Sequence, residues 1–303
     1  MTTTVKIIAD SVSPSGHRLT TFLLRYQRFI HAEFMTHKKI SRNASSSRAI
    51  PSAKIIEDIL VDPAMPSFWG KNQPGMQARE ELDPENKLYA AAHWLDARDA
   101  VIANVKGLLE LGVHKQTANR MLEPWMHINV LATATDWANF YELRCHPDAQ
   151  PEFQELAGLM REAQLYVQPN ILQPGEWHLP FADDGETRQQ AVRFLMHNRI
   201  TRDMPREEEI INLLRKVSTA RCARTSYLLH DGKPSTVAED LALHDKLVVA
   251  TPLHASPAEH QATPDVLVKD DYSDRRWAEP ALHGNLTGWQ QHRKMLPGEF
   301  IPG

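Results

Sequence analysis

Apolar residues recur at helical spacing from Leu88 to Leu111, where Ala92, Leu95, Val101, Val105, Leu108 and Leu109 line one face and Gly112 supplies a C-terminal stop. The same period predicts a helix over residues 151–165 and another over about 205–220, with Ile210, Ile211, Leu214 and Val217 on one face. A fourth helix opens at ThrValAlaGlu, 236–239, which has the spacing of a capping box. A further helical stretch runs from about Lys115 to Arg144 with a break near Pro124. CysHisProAsp closes it, because Pro147 cannot donate a backbone hydrogen bond and biases the preceding residue towards extended backbone. Val5–Ile8 and Leu19–Phe29 flank a SerProSerGly turn and predict a hairpin, with strands otherwise sparse. Residues 166–186 read as an irregular, proline-punctuated connection, and 261–285 as a polar, exposed excursion. The pattern predicts an α+β fold, mostly helical with a small antiparallel sheet. No GxGxxG follows a strand, which argues against a doubly wound dinucleotide-binding fold.

A chain of 303 residues with 42% hydrophobic and 24% charged content can bury a sizeable core, and its 20 prolines against 13 glycines suggest bounded loops within one domain. The net charge of −4 gives no global attraction to duplex nucleic acid or to an anionic membrane, so an anionic ligand must be held locally. Cys145 and Cys222 are too few and too far apart for a disulfide framework or a thiolate zinc site, and are expected to be reduced. No signal-peptide core and no apolar run of transmembrane length is present, which sets a cytoplasmic expectation.

Three clusters carry candidate chemistry. In MTHKKISRNASSSRAIP, Met35 to Pro51, basic residues lead into a loop of small hydroxyl and amide side chains closing on Arg48. Hydroxyls, free N–H groups and an arginine fork suit phosphate oxygens. Composition alone nevertheless favours a solvated serine-rich turn with Arg48 paired to a surface carboxylate. In WANFYELRCHPDAQPEFQ, Asn139 and Arg144 stand near a helix end, where both can reach a ligand crossing it. An arginine complementing the helix dipole among core aromatics explains the same residues. The third cluster is ARCARTSYL with PLHASPAEH some thirty residues on. Ser256, Pro257 and Glu259 match a capping box with proline at the first helical position, and the free N–H groups of such a helix could hold a diphosphate. His254 and His260 lack HExxH spacing and a third ligand, so no metal is expected.

Together the clusters resemble the flavin-dependent thymidylate synthases. That family's signature, RHRxxSxNExSxRY, aligns without a gap on THKKISRNASSSRA: His37, Ser41, Asn43, Ser46 and Arg48 match, while Thr36, Lys38, Ala44 and Ala49 depart from it. The family's NFLxLRxxxxAQxEI resembles NFYELRCHPDAQPEF, Asn139 to Phe153. Its AARVSY and GHExPxEH segments, which precede the signature in the family, resemble ARCARTSY and LHASPAEH here, near the opposite end. The order implies a circular permutation, tolerable when the original termini lie close together at the surface. One domain over 1–303 is then expected, with additions near 166–205 and 261–303.

The resemblance implies methylation of dUMP to dTMP without an enzymic nucleophile, with FAD as cofactor and NADPH and methylenetetrahydrofolate as co-substrates. It assigns Arg48, Ser46 and Arg144 to the nucleotide, Arg144 stabilising charge that develops on the uracil. His37, Asn43, Asn139, Ser256 and Glu259 are assigned to FAD, with His254 close to the flavin. A nucleotide-binding arginine of the family, in GxxxExAR, falls on Asn119, and its neighbour Arg120 is taken in its place. A homotetramer is implied as well. The altered signature leaves two other readings: a related C5 alkylation, such as hydroxymethylation, of a deoxyuridine or deoxycytidine nucleotide, and a nucleotide-binding homologue without catalysis.

Overall fold

The computed structural model describes residues 3–198, 203–227, 235–248, 250, 253–271 and 274–299. The predicted hairpin is present: β1 (Thr4–Val12) and β2 (Arg18–Gln27) pair antiparallel, and Gly16 adopts a φ of +83° in the turn between them. A short helix α1 (His31–Phe34) leads into β3 (Ser41–Ala44), so half of the expected hydroxyl-rich loop is extended and paired. Helices α2 (Ser52–Val61) and α3 (Pro84–Glu110) follow. Asp83 caps α3 by accepting from the Asn86 backbone N–H, and Gly112, at φ +81°, lies just past its end as the sequence predicts.

The long helix expected over Lys115–Arg144 is corrected. A single turn α4 (Lys115–Ala118) and a 3-10 segment through Pro124 give way to β4 (His127–Ala134), and only α5 (Ala138–Arg144) is helical beyond it. Residues 130–134 are all buried, because β4 sits between β2 and β3 inside the sheet. The apolar run Val130–Ala132 is short, and periodicity cannot separate so short a run in a strand from a helix.

Helix α6 (Pro151–Tyr166) stands where the pattern places it, and β5 (Asn170–Ile171) then joins β1 in parallel. The main sheet thus runs β3-β4-β2-β1-β5. Phe22, Leu24, Ile128 and Val130 on its strands pack against Phe34, Phe140, Phe153 and Leu156 from α1, α5 and α6. A second cluster joins Ile55 and Ile59 of α2 to Ile102 and Val105 of α3.

Helix α7 (Gly185–His197), which the sequence reading passed over, packs on α8 (Glu207–Tyr227), and α9 (Val237–Val248) closes that cluster. The capping box at α9 holds: the Thr236 N–H donates to Glu239 Oε2 at 2.8 Å, and the Glu239 N–H donates to Thr236 Oγ1 at 3.3 Å. Past residue 260 the chain is less exposed than expected. Strands β6 (Ala262–Pro264), β7 (Leu267–Asp271), β8 (Asp274–Trp277) and β9 (Trp289–Gln291) form two small antiparallel pairs, with Gln261, Asp265 and His283 buried. Among the described residues no helix is long and apolar enough to cross a membrane.

Candidate active site

The signature is spread along β3 and the turns beside it. Asn43 faces inward opposite Leu131, and its side-chain oxygen is buried without a hydrogen-bond partner. After β3 the chain is pinned from below by a buried amide. Asn119 Nδ2 donates to the carbonyls of Ser47 (2.8 Å) and Ile50 (3.1 Å), and Asn119 Oδ1 accepts from Ser52 Oγ at 2.6 Å. The loop therefore has a fixed backbone that leaves Ser46 half-buried and Arg48 exposed. Arg48 forms no ion pair among the described residues, so the surface-carboxylate reading of it is not realised. Arg120 meets the same loop through one carboxylate: Glu123 Oε1 accepts from Arg120 (2.8 Å), Arg28 (3.1 Å) and Ser47 Oγ (2.7 Å).

The second cluster joins the first directly. Arg144, in the last turn of α5, donates from Nε to Nε2 of His37 at 2.9 Å and from NH1 to Glu33 at 2.9 Å, with its guanidinium 4.6 Å from the centre of the Phe153 ring. Burial, then the nearby Arg144 and Arg42, lower the pKa of His37 to about 4. The ring is thus neutral at physiological pH, and since Nε2 accepts, Nδ1 carries the proton. Arg42 fixes the turn between them by donating to the carbonyls of Phe34 and His37. Asn139 lies exposed in the first turn of α5.

The third cluster returns to the other side of β3. Ser256–Glu259 is a single 3-10 turn that packs against β3 and α8; no side-chain cap forms at its start, so the expected capping box and helix are corrected. The chain must enter β6 three residues later to pair with β9, which stops a helix there. Ser256 and His254 are exposed, while the Glu259 carboxylate is held by Arg293. Residues the sequence reading set aside as additions supply the clamp. Gln291 Nε2 donates to the Glu259 carbonyl at 3.1 Å and lies 3.5 Å from Ser41 Oγ, and Asn285 Nδ2 donates to the Lys39 carbonyl at 2.9 Å. The amide-rich run AsnLeuThrGlyTrpGlnGln, 285–291, was the signal for it.

A buried polar chain underlies this junction. His260 Nδ1 lies 2.8 Å from Thr133 Oγ1, which lies 2.7 Å from Thr21 Oγ1; that hydroxyl is 2.8 Å from His178 Nε2, whose Nδ1 is 2.8 Å from Ser11 Oγ. Burial lowers the pKa of both imidazoles to about 3, and His260 Nε2 has no hydrogen-bond partner. The structure thus brings His37 and Arg144 into contact, sets Asn43 on a strand packed against the turn of Ser256 and Glu259, and links Arg120 to the Ser46–Arg48 loop. Asn139 and His254 form no side-chain hydrogen bond or ion pair with the others.

Two solved structures of a UMP/dUMP methylase, PolB from Streptomyces cacaoi, are similar to part of the chain. The one bound with 5-Br UMP is 18% identical, over 54% of this chain and 88% of that one, with a TM-score of 0.43. The one bound with 5-Br dUMP is 16% identical, over 54% and 89%, with a TM-score of 0.42. No curated protein sequence matches the chain. The profile of the thymidylate synthase complementing proteins matches residues 7–170, more than half of the chain and the span that holds the signature, Arg120 and Arg144. The chain belongs to the thymidylate synthase complementing protein family and is a thymidylate synthase-like enzyme.

Proposed function

We propose that this enzyme methylates carbon 5 of dUMP to give dTMP, with bound FAD, methylenetetrahydrofolate as carbon donor and NADPH as reductant. The observation that carries the reading is the packing of the Ser256–Glu259 turn against β3, which sets a segment from the far end of the sequence beside Asn43 of the signature. That return also supports one permuted domain, since a permutation keeps the contacts and moves only the cut. The residues fit a flavin dinucleotide. Asn43 Oδ1 is a buried acceptor lacking a donor, and the exposed hydroxyl of Ser256 stands on the turn packed against its strand. His37, Asn43, Asn139, Ser256 and Glu259 would hold the cofactor, with His254 nearby. When bound, the flavin supplies the hydride for the methyl group.

The chain's own part is positioning and electrostatics. Arg48 and Ser46, on a loop whose backbone Asn119 fixes, are read as binding the nucleotide phosphate, with Arg120 close by through Glu123. Arg144 is read as facing the uracil, where its fixed charge stabilises the negative charge that builds on the ring as carbon 5 reacts. A homotetramer fits the surface: α3 buries little beyond Ile102 and Val105 and leaves Leu88 and Tyr89 exposed.

Purified protein is tested for flavin absorbance and then incubated with dUMP, methylenetetrahydrofolate and NADPH, with mass spectrometry of the nucleotide. A yellow protein forming dTMP is expected. Failure to bind flavin at any concentration rejects an enzymic reading of this kind, and a product other than dTMP replaces methylation with another C5 alkylation.

A further inference from the structure

A cavity of about 440 Å³ opens between α8, α9 and the 3-10 turn His292–Met295, and none of its lining residues is a candidate active-site residue. All of them lie outside residues 7–170, the span that the family profile matches. Two permanent cations line it, Arg215 and Lys216, together with the imidazoles of His244 and His292. Several other half-buried arginines hold carboxylates: Arg18 with Asp10, Arg144 with Glu33, Arg221 and Arg224 with Asp240. Neither Arg215 nor Lys216 forms an ion pair among the described residues.

Arg215 is poorly compensated for its burial. Its guanidinium lies 4.4 Å from the centre of the Trp177 ring, a terminal nitrogen donates to Asn212 Oδ1, and Nε is buried with no hydrogen-bond partner. A buried charge in that condition costs free energy that an anion would offset. Glu208 acts on it only through a longer-range Coulombic pull. Each imidazole has a lone pair to offer to a hydroxyl of an organic ligand rather than to a phosphate oxygen. Thr219 Oγ1 has acceptors for its proton at the Arg215 carbonyl (2.9 Å) and Gln261 Oε1 (3.2 Å), so the 3.4 Å contact of that hydroxyl with His292 Nδ1 makes Nδ1 the donor and leaves the lone pair on Nε2. Burial, with Arg215 and His244 adding to it, lowers the pKa of His292 to about 3. His244 Nδ1 lies 3.0 Å from Asp245 Oδ1, the one carboxylate of the lining.

We infer that this cavity binds a small organic phosphate. A guanidinium fork and an ammonium suit a dianionic head with three acceptor oxygens, and phosphate esters are largely dianionic near neutral pH. Val248 and Leu296 add an apolar wall for the organic part, and the volume falls within the range of small-molecule pockets. The site does not depend on the proposed dUMP chemistry.

Calorimetric titration of the full chain tests it with three probes: inorganic phosphate, ribose 5-phosphate and succinate. Ribose 5-phosphate is expected to bind more tightly than inorganic phosphate, and succinate not at all. Lys216→Gln, at an exposed position, is expected to weaken both phosphates roughly tenfold, and Arg215→Gln more than that. No binding of either phosphate, succinate binding as tightly as ribose 5-phosphate, or affinities unchanged in Lys216→Gln would each overturn the inference. Lys216→Gln carries the test if Arg215→Gln, which loses its stacking on Trp177, fails to fold.

Discussion

Arg144 donates to Nε2 of His37 at 2.9 Å across 107 residues of sequence, so two motifs assigned to different ligands share one hydrogen bond. Their contact makes the neutral form of His37 part of the site, because a protonated ring could not accept from a guanidinium.

Arg144→Ala should therefore lower kcat by about a hundredfold or more, the usual scale for losing one preorganised charge contact. The fold should persist, since the ion pair with Glu33 is partly exposed and such pairs contribute little. Steady-state kinetics beside circular dichroism check this. Undiminished turnover would remove Arg144 from the uracil site.

Acid should destabilise the protein well before its carboxylates protonate. His31, His37 and His127 are lowered to about 4, and His178, His260 and His292 to about 3, with burial the largest cause in each. An unfolded histidine titrates near 6.5, so between these values the unfolded state binds more protons and stability falls as pH falls. The stabilisation is complete above about pH 6.5 and is lost progressively towards pH 4 and below. Urea unfolding at a series of pH values should show this slope, and His260→Gln should make it shallower. A flat profile between pH 6.5 and pH 4 would contradict the burial of these rings.

The sequence carried the hairpin, α3, α6 and the α9 capping box, because turn residues, caps and one-sided periodicity are local properties. It concealed β4: in HisIleAsnValLeuAlaThrAla, 127–134, alternation holds only over the first four residues and lapses at ValLeuAla, where the core cluster lies on one side and α8 packs on the strand as well. Ser256–Glu259 has the composition of a helix start, yet the pairing of Ala262–Pro264 with Trp289–Gln291 ends it after one turn. The motifs holding His37 and Arg144 were legible, but their contact depends on where α1 and α5 pack. Asn119 was the subtlest case. An ungapped comparison placed a nucleotide-binding arginine there, whereas burial makes it the support of the loop that carries Ser46 and Arg48.

Asn119→Ala removes three buried hydrogen bonds and leaves the Ser47 and Ile50 carbonyls without donors, a cost of about 2–4 kcal/mol. Denaturant unfolding should register that loss, and KM for the nucleotide should rise because the loop loses its fixed backbone. Arg120→Ala should raise the same KM with little loss of stability, since Arg120 is exposed. If both variants change stability alone, the 45–51 loop does not bind the phosphate.

Asp240 on α9 is fully buried and accepts from Nε of both Arg221 (2.9 Å) and Arg224 (3.0 Å) on α8. Arg221 also donates to Thr187 Oγ1 at 2.9 Å and to the carbonyl of Phe181, which adopts a φ of +62° that side chains rarely tolerate. One carboxylate thus ties α9 to α8 and, through Arg221, to α7. Asp240→Ala strands two guanidiniums in a largely buried setting and should cost about 3–5 kcal/mol, whereas Asp240→Asn keeps an acceptor oxygen and should cost less. Because α8 packs against both β3 and the Ser256–Glu259 turn, Asp240→Ala should also release the proposed flavin at a lower temperature than wild type, followed by flavin fluorescence on heating. Stability lost with flavin release unchanged would mean that the α7–α9 bundle and the candidate active site unfold independently.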